Sequence, residues 1–189
     1  GPRRRSVHCS SSRGFKEMKP LYLDLGSGLR PNFFPDADVI HLDISGDAPH
    51  VEIVCDLDHG IPFPKNSFDV VLATDVIEHL SSVVKIMDEI HRVLRPDGEV
   101  YITVPLFGGR NHLVDPTHLR GFHPSSFDVF DDETDYGKSS TGNLCTKRRW
   151  KILRKESDAD HGDPNGNLIL QMRALKLGSG PIRESWKPW

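Results

Sequence analysis

The chain has 189 residues, of which 37% are hydrophobic and 27% are charged, and its formal net charge at pH 7 is -3. This length is enough for one domain with a full core, and the composition is that of an ordinary globular protein. No apolar run approaches the roughly 20 residues that a membrane-spanning helix needs, and the small net charge argues neither for nor against a nucleic-acid partner.

The amino-terminal residues and the cysteines indicate a cellular compartment. Residues 1–19 are basic and rich in serine, without the apolar stretch of a signal peptide, and we predict that they form a flexible arm. Cys9, Cys55 and Cys145 contain no C-x-x-C pair, which argues against a disulfide scaffold or a zinc ribbon and favours a reducing compartment. We therefore expect a cytoplasmic protein with no membrane association.

From Pro20 onward, apolar strand-like runs alternate with helical patterns, as in α/β layer folds. One helix is predicted at 81–94, capped by Ser81 or Ser82 and ended by the sequence RPDG, and a short helix is predicted near 124–130. The predicted strands are 21–25, 38–42, 51–55, 68–73 and 99–104, followed by an antiparallel pair at 149–154 and 167–175. Residues 20–177 are thus expected to form a single domain and residues 178–189 a tail.

The first predicted strand, LYLDL, leads into Gly26-Ser27-Gly28, a tight turn of the kind that opens nucleotide pockets. The dinucleotide fingerprint G-x-G-x-x-G requires glycine at position 31, where this chain has Pro31. Asp24, directly before the turn, is unfavourable beside a pyrophosphate and suits a ligand with positive charge nearby. An NAD-dependent oxidoreductase is therefore the weakest hypothesis for this chain.

Aspartates also lie at the ends of the next two predicted strands. Asp43 can accept both hydroxyls of a ribose, and Asp56 can reach an adenine amino group while Leu57 packs against the ring. The carboxyl ends of parallel strands meet at one edge of the sheet, where open α/β sheets bind ligands. Each aspartate alone is explained as a turn cap, but together with the glycine turn they predict a nucleoside pocket.

Five stretches in this order carry a family resemblance: LDLGSG, HLDIS, CDLDHGIPFPKNSFDVVLATDVIEHL, HRVLRPDGEVYITVP and DPTHLRGFHPSSF. They resemble the class I S-adenosylmethionine-dependent methyltransferases, in particular those with a type 11 methyltransferase domain, from about Leu21 to Phe130. The resemblance implies an α/β fold with a Rossmann-like seven-stranded sheet, mostly parallel with an antiparallel last strand and with helices on both faces. The short stretch between Gly28 and the second strand implies that the usual first helix is shortened or replaced by a loop.

The resemblance also implies S-adenosylmethionine as the cofactor and assigns contacts to it by position. The methionine end of the cofactor is expected to contact Asp24, Gly26, Ser27 and Gly28, and the ribose is expected to contact Asp43. The adenine is expected to contact Ile44, Asp56 and Leu57. Thr74 and Asp75 are expected to face the methyl-transfer site.

Acidic residues and histidines form a second pattern, with Asp75, Glu78 and His79 in TDVIEHL and His118 in DPTHLRGFH. It resembles metal-dependent 2′-O-methyltransferases of small RNAs and O-methyltransferases of quinone biosynthesis, in which such residues surround a divalent cation. Carboxylates and imidazoles suit Mn²⁺, Fe²⁺ or Zn²⁺, and the turn at Asp115 is expected to direct His118 over the transferred methyl group.

Three roles stay open for these histidines: a structural role, a general base or a metal ligand. The candidate catalytic residues are His118, His79 and Asp75, and the candidate metal ligands are Glu78, His79 and His118.

The basic run at 147–151 has two interpretations. It could hold a phosphate-bearing substrate with Trp150 stacked on a base, or it could be a solvated edge strand whose charges resist aggregation, which is the favoured interpretation.

The leading functional hypothesis is methyl transfer from S-adenosylmethionine to an oxygen or nitrogen. The acceptor is not identified and could be a small molecule, a glycan, RNA or a protein. The alternative is a non-catalytic module of the same fold that binds or activates a partner protein. Exposed apolar surface around residues 105–123, or around Trp186 and Trp189, would mark such a partner face.

Overall fold

The computed structural model describes residues 19–139, 146, 148–157 and 166–176. The predicted flexible arm, apart from Lys19, and the predicted tail with Trp186 and Trp189 lie outside these residues. Within them, no helix is both long enough and apolar enough to cross a membrane.

Seven strands of the described chain form one sheet. They are β1 (Leu21–Leu25), β2 (Asp38–Asp43), β3 (Ile53–Val54), β4 (Phe68–Thr74), β5 (Leu94–Pro105), β6 (Arg149–Ser157) and β7 (Asn167–Leu175). Their order is β3-β2-β1-β4-β5-β7-β6. β1 to β5 pair in parallel, whereas β7 is antiparallel to both of its neighbours. The predicted mostly parallel sheet with an antiparallel last strand is confirmed.

Two α-helices and three short 3-10 helices accompany the strands within the described residues. They are α1 (Val83–Val93) and α2 (Arg110–Val114), with 3-10 helices at Leu57–His59, Ile77–His79 and Asp128–Phe130. α1 begins where the Ser82 hydroxyl accepts a hydrogen bond from the Lys85 backbone N–H. Its apolar stripe, including Ile86, Met87 and Ile90, is buried in the core under the sheet.

Several predicted elements differ from the observed ones at their bounds. β5 begins at Leu94, because the turn at Asp97 (φ 63°) and Gly98 is absorbed as an irregularity in its pairing with β4. β3 keeps only two of the five predicted residues. The helix predicted near 124–130 is reduced to its last turn, because Ser126 and His123 bond to each other and form a separate turn.

The connections from β1 to β2 and from β2 to β3 contain no helix. The expectation that a loop replaces the usual first helix is therefore confirmed, and the cavity described below is bordered on this side by loop residues.

Trp150 is the second residue of the edge strand β6, and its fully buried ring lies 5.2 Å from the ring of His91. Stacking of Trp150 on a nucleic-acid base is therefore wrong, because the ring belongs to the core. The position of β6 at the edge of the sheet agrees with the favoured interpretation of the basic run.

Candidate active site

The turn after β1 brings backbone close to the carboxyl edge of the sheet. Gly26 and Gly28 have φ angles of 63° and 54°, and a Cβ atom at Gly26 would lie 2.6 Å from Cγ2 of Val76. Only glycine fits that contact. The N–H of Gly28 donates to one oxygen of Asp43 (2.8 Å), and the N–H of Ser45 donates to the other (2.9 Å). The turn and the end of β2 together hold the Asp43 carboxylate in place.

A cavity of about 590 Å³ opens at this edge, a volume suited to a small-molecule ligand. Its described lining includes seven residues predicted from the sequence: Gly26, Asp43, Ile44, Asp56, Leu57, Asp75 and His79. Sequence reasoning missed the other five, which are Cys55, Asp58, Val76, Leu80 and Thr117. Four of the lining side chains are carboxylates, and no lysine or arginine belongs to the described lining. The cavity therefore favours a ligand that carries positive charge.

Asp24 lies outside the described lining of the cavity, with its side chain buried. Its carboxylate accepts hydrogen bonds from the backbone and side-chain N–H groups of Asn32 (3.0 and 2.9 Å) and lies 3.0 Å from Nδ1 of His41. These bonds hold the loop that follows the glycine turn. A contact between Asp24 and the methionine end of a cofactor stays a prediction.

Five other predicted residues, Ser27, Gly28, Thr74, Glu78 and His118, also lie outside the described lining. Ser27 is buried, and its hydroxyl has no hydrogen-bond partner among the described residues. Gly28 contributes its N–H to Asp43, and Thr74 ends β4 as an exposed side chain. The ring of His118 lies 4.6 Å from the ring of His79, which does line the cavity.

Asp56 acts both as a turn cap and as part of the cavity lining. One oxygen accepts from the N–H of Asp58 (2.9 Å), and the other lies 3.1 Å from Nδ1 of His59. The capping explanation from the sequence is therefore correct for Asp56, and its 44% exposed side chain still faces the cavity.

Asp75 has a positive φ angle of 50°, which is uncommon for a residue with a side chain. Its N–H donates to the carbonyl of Thr103 (2.9 Å), which continues the pairing of β4 with β5 by one residue. This strained backbone turns the chain from the sheet into the 3-10 helix that carries Glu78 and His79.

Glu78 is fully buried, and neither carboxylate oxygen has a hydrogen-bond partner among the described residues. Burial raises the pKa of Glu78 to about 8, and the carboxylates of Asp75 and Asp115 add to this rise. A buried acid without hydrogen bonds is costly in a folded protein, and the described residues offer Glu78 a contact of 3.8 Å with Nε2 of His118.

His79 and His118 both lie close to Glu78, and His118 is outside the described cavity lining. Nε2 of His118 is 3.8 Å from Oε1 of Glu78, and the two imidazole rings are 4.6 Å apart. The candidate ligand atoms of Glu78, His79 and His118 all lie within 4.8 Å of one another. Asp75 is not part of this cluster of three, which we call the Glu-His-His cluster.

Thr117 determines which nitrogen of His79 carries the proton. Its hydroxyl donates to Oδ1 of Asp115 (2.6 Å) and lies 3.0 Å from Nδ1 of His79. Because a hydroxyl has one hydrogen, the bond to His79 requires Nδ1–H as the donor. Nε2 of neutral His79 then keeps its lone pair, as a general base or a metal ligand needs.

The loop after β5 carries exposed apolar side chains close to this site. Phe107, Leu113, Val114 and Leu119 are between 59% and 78% exposed, while the N–H of Leu119 donates to the carbonyl of Glu78 (3.0 Å). The apolar surface that the sequence linked to a partner face is therefore present around residues 105–123.

Comparison with a family model gives a match over residues 23–102, and the model is described as "Methyltransferase domain". The matched segment begins in β1 and ends in β5. It contains the glycine turn, Asp43, Asp56 and Glu78, but not His118.

A curated protein of Rattus norvegicus, "Arginine-hydroxylase NDUFAF5, mitochondrial", is 36% identical over 153 residues. The alignment covers 76% of this chain and 41% of that protein. The present chain thus spans less than half the length of this relative.

Two solved structures share the fold, each with a TM-score of 0.59 and 16% sequence identity over 84% of this chain. One is the YcgJ protein from Bacillus subtilis, of which 93% is covered. The other is 1,6-didemethyltoxoflavin-N1-methyltransferase from Burkholderia thailandensis with bound 1,6-didemethyltoxoflavin and S-adenosylhomocysteine, of which 72% is covered.

Proposed function

We propose that this chain transfers a methyl group from S-adenosylmethionine to an oxygen or nitrogen of an acceptor, as a class I S-adenosylmethionine-dependent methyltransferase does. In support, residues 23–102 match the methyltransferase family model, and the fold is shared with a methyltransferase that holds S-adenosylhomocysteine. The observation that carries this proposal is the charge of the cavity, which has four aspartates and no lysine or arginine in its described lining. Such a lining attracts a ligand with sulfonium and ammonium groups and repels a dinucleotide pyrophosphate.

The lining residues fit the parts of this cofactor. Asp43 would accept the ribose hydroxyls, since its carboxylate already lies at the mouth of the glycine turn. Ile44, which is 72% exposed, and Leu57 would cover the adenine ring. Asp56 would accept a hydrogen bond from the adenine amino group. The bound cofactor would supply an electrophilic methyl group, which Asp75 and Thr74 would face.

The acceptor must lose a proton as its oxygen or nitrogen is methylated. His79 is suited to accept this proton, because Thr117 leaves Nε2 of the neutral ring unprotonated. Alignment of acceptor and methyl group within one cavity would provide most of the rate increase.

The Glu-His-His cluster also fits a divalent metal. Its carboxylate oxygens and Nδ1 of His118 have no hydrogen-bond partner among the described residues, and two imidazoles with one carboxylate suit Mn²⁺, Fe²⁺ or Zn²⁺. A metal held there would lower the pKa of an acceptor hydroxyl. Metal content and chelator sensitivity of the purified protein test this role.

A second candidate function, arginine hydroxylation, is favoured by two observations together. Two histidines and one carboxylate are the ligand set of non-haem iron oxygenases, and the 36% identical rat relative is named an arginine hydroxylase. The reaction would need dioxygen and an external two-electron reductant in addition to iron.

Product analysis separates the two reactions. Purified protein is incubated with RNA, protein, glycan and small-molecule pools and either isotopically labelled methyl donor or labelled dioxygen with ferrous iron and ascorbate. Methyl transfer predicts label from the donor in the product, and hydroxylation predicts label from dioxygen. Cofactor binding without either product would favour the non-catalytic module that activates a partner.

Cofactor binding is tested by calorimetry with S-adenosylhomocysteine and with NAD. We expect Asp43→Ala to weaken binding of S-adenosylhomocysteine by about 1.5–3 kcal/mol, the size of lost charge-assisted hydrogen bonds. Asp38→Ala, at the exposed opposite end of β2, is the matched control and should bind normally. Binding of NAD alone would contradict the proposal.

The variant His118→Ala tests whether the Glu-His-His cluster takes part in catalysis. A direct catalytic role predicts a loss of about 10²–10⁴-fold in rate with nearly unchanged affinity for S-adenosylhomocysteine. A purely structural role predicts instead a lower melting temperature and smaller, mixed effects on rate and affinity.

A further inference from the structure

A second cavity, of about 720 Å³, lies at the opposite edge of the sheet, where β4 begins and β7 ends. We call it the basic cavity, because its lining includes Lys65, Arg92, Arg148, Arg149 and Lys176. No carboxylate belongs to its described lining. Its charge is thus opposite to that of the cavity beside Asp43.

The positive charges of the basic cavity are only partly compensated. Arg92 pairs with Glu89 (2.7 Å), and Arg149 lies 3.4 Å from Asp132. Lys65 and Arg148 form no ion pair within the described part of the chain. The ammonium group of Lys176 donates to the side-chain oxygen of Asn66 (2.8 Å) and to the carbonyls of Arg92 and Leu94.

Burial and neighbouring positive charges lower the pKa values of two lining groups. Burial lowers the pKa of Lys176 to about 8, and the charges of Arg148 and Arg92 add to the effect. Burial also lowers the pKa of His91 to about 4, with Lys176 as the next contributor. Positive charge at this place is therefore costly to the folded protein, and a bound anion would offset the cost.

We propose that the basic cavity binds a small organic ligand that carries a diphosphate or larger phosphate group. The volume suits a ligand of about nucleotide size, and guanidinium and ammonium groups are the usual partners of phosphate oxygens. Pro96 and Leu175 provide apolar surface for the body of the ligand. Because the cavity lies at the far edge of the sheet from Asp43 and His79, this ligand does not react at the proposed active site.

Single-stranded nucleic acid is a poorer fit. Proteins that hold such strands stack bases on exposed aromatic rings. Trp150 is fully buried and His91 is 4% exposed, so no exposed ring of the described lining offers a platform. A small phosphate ligand is therefore the occupant that the geometry favours.

Calorimetry with ADP, inorganic pyrophosphate and sulfate at matched ionic strength tests the proposal on the whole chain. We expect saturable binding of ADP, competition by pyrophosphate, and little effect of sulfate. The double variant Lys65→Gln/Arg148→Gln should weaken ADP binding by about 10-fold or more, because each lost charge removes a charge-assisted hydrogen bond. The control Arg30→Gln/Lys138→Gln loses the same charge at two exposed sites outside the cavity and should bind ADP normally.

Four results would overturn the proposal. They are absence of saturable ADP binding at millimolar concentration, equal weakening by the control variant, displacement of ADP by S-adenosylhomocysteine, and tighter binding of a single-stranded oligonucleotide that excludes ADP. The third result would place ADP in the cavity beside Asp43. Melting temperatures of both double variants, which change only exposed side chains, show that each chain is folded.

Discussion

Thr117 connects His79 to Asp115, a carboxylate that lies outside the cavity lining. Its hydroxyl bridges Asp115 and His79, and its backbone N–H also donates to Asp115 (2.8 Å). The turn that begins at Asp115 thus fixes the tautomer of a ring in another segment of the chain. Sequence spacing cannot reveal this link, because Thr117 and His79 are 38 positions apart and meet only when the loop after β5 folds back.

Thr117→Val should remove the acceptor for Nδ1–H of His79 while keeping the shape of the side chain. We expect the rate of the reaction to fall by about 10–100-fold, the usual effect of losing a group that orients a catalytic or metal-binding histidine. Affinity for S-adenosylhomocysteine should change little. Nitrogen chemical shifts of the His79 ring, measured by NMR, should show loss of the Nδ1–H tautomer even without an acceptor.

Thr117→Ser is the matched control, because it keeps the hydroxyl and should keep both the rate and the tautomer. If Thr117→Val retained the Nδ1–H tautomer and the full rate, Thr117 would have no positioning role.

At the level of elements, α1 runs from the carboxyl ends of the parallel strands, near the candidate active site, to their opposite ends, near the basic cavity. Its first turn, at Ser82, follows the segment of Glu78 and His79, and its last turn, at His91 and Arg92, lies in the wall of the basic cavity. The Ser82 cap satisfies one backbone N–H at the first end. At the other end, Lys176 donates to the carbonyls of Arg92 and Leu94, in agreement with the preference of cations for helix carboxyl termini.

Ser82→Ala should destabilise the protein by about 1 kcal/mol, because the N–H of Lys85 loses its acceptor. Thermal or urea unfolding measures this change. Ser82→Asp keeps an oxygen at the cap position and should retain the stability of the parent chain. Equal stability of all three proteins would show that the cap contributes nothing.

His91 predicts a loss of stability in mild acid. Burial, together with Lys176, lowers its pKa from 6.5 to about 4 in the folded protein. Between these values the unfolded chain binds more protons than the folded one, so stability falls as the pH decreases from 6.5 to about 4. Above pH 6.5, His91 adds no pH dependence to the free energy of unfolding.

Urea unfolding of the parent chain and of His91→Gln across this range checks the expectation. The stability difference between the two should shift in favour of the variant as the pH falls. A difference that stays constant between pH 6.5 and pH 4 would show that His91 titrates normally in the folded protein.

For the whole molecule, the sequence predicted most of the sheet and about half of the site. β1 and β7 have the predicted bounds because their apolar runs end at clear breaks, such as the glycine turn after Leu25. Residues at strand ends, such as Asp43 and Asp56, were predicted because parallel strands bring their carboxyl ends to one edge.

The remaining site residues depend on contacts between distant segments. Thr117 enters the cavity lining because the loop after β5 returns to Glu78, and Leu80 because its 3-10 helix turns inward. The burial of Trp150 was also missed, because the charged residues around it concealed that the ring faces the core.

The position of β7 has a consequence for synthesis on the ribosome. β7 lies between β5 and β6 in the sheet, although it follows both of them in the chain. While the protein is being made, the edge of β5 therefore stays open and β6 has no neighbour until residues 167–175 emerge. An open β-edge recruits other strands, so we expect nascent chains arrested before Asn167 to aggregate or to be held by chaperones. When β7 inserts, it pairs with both β5 and β6, and these two open edges are no longer available to other strands.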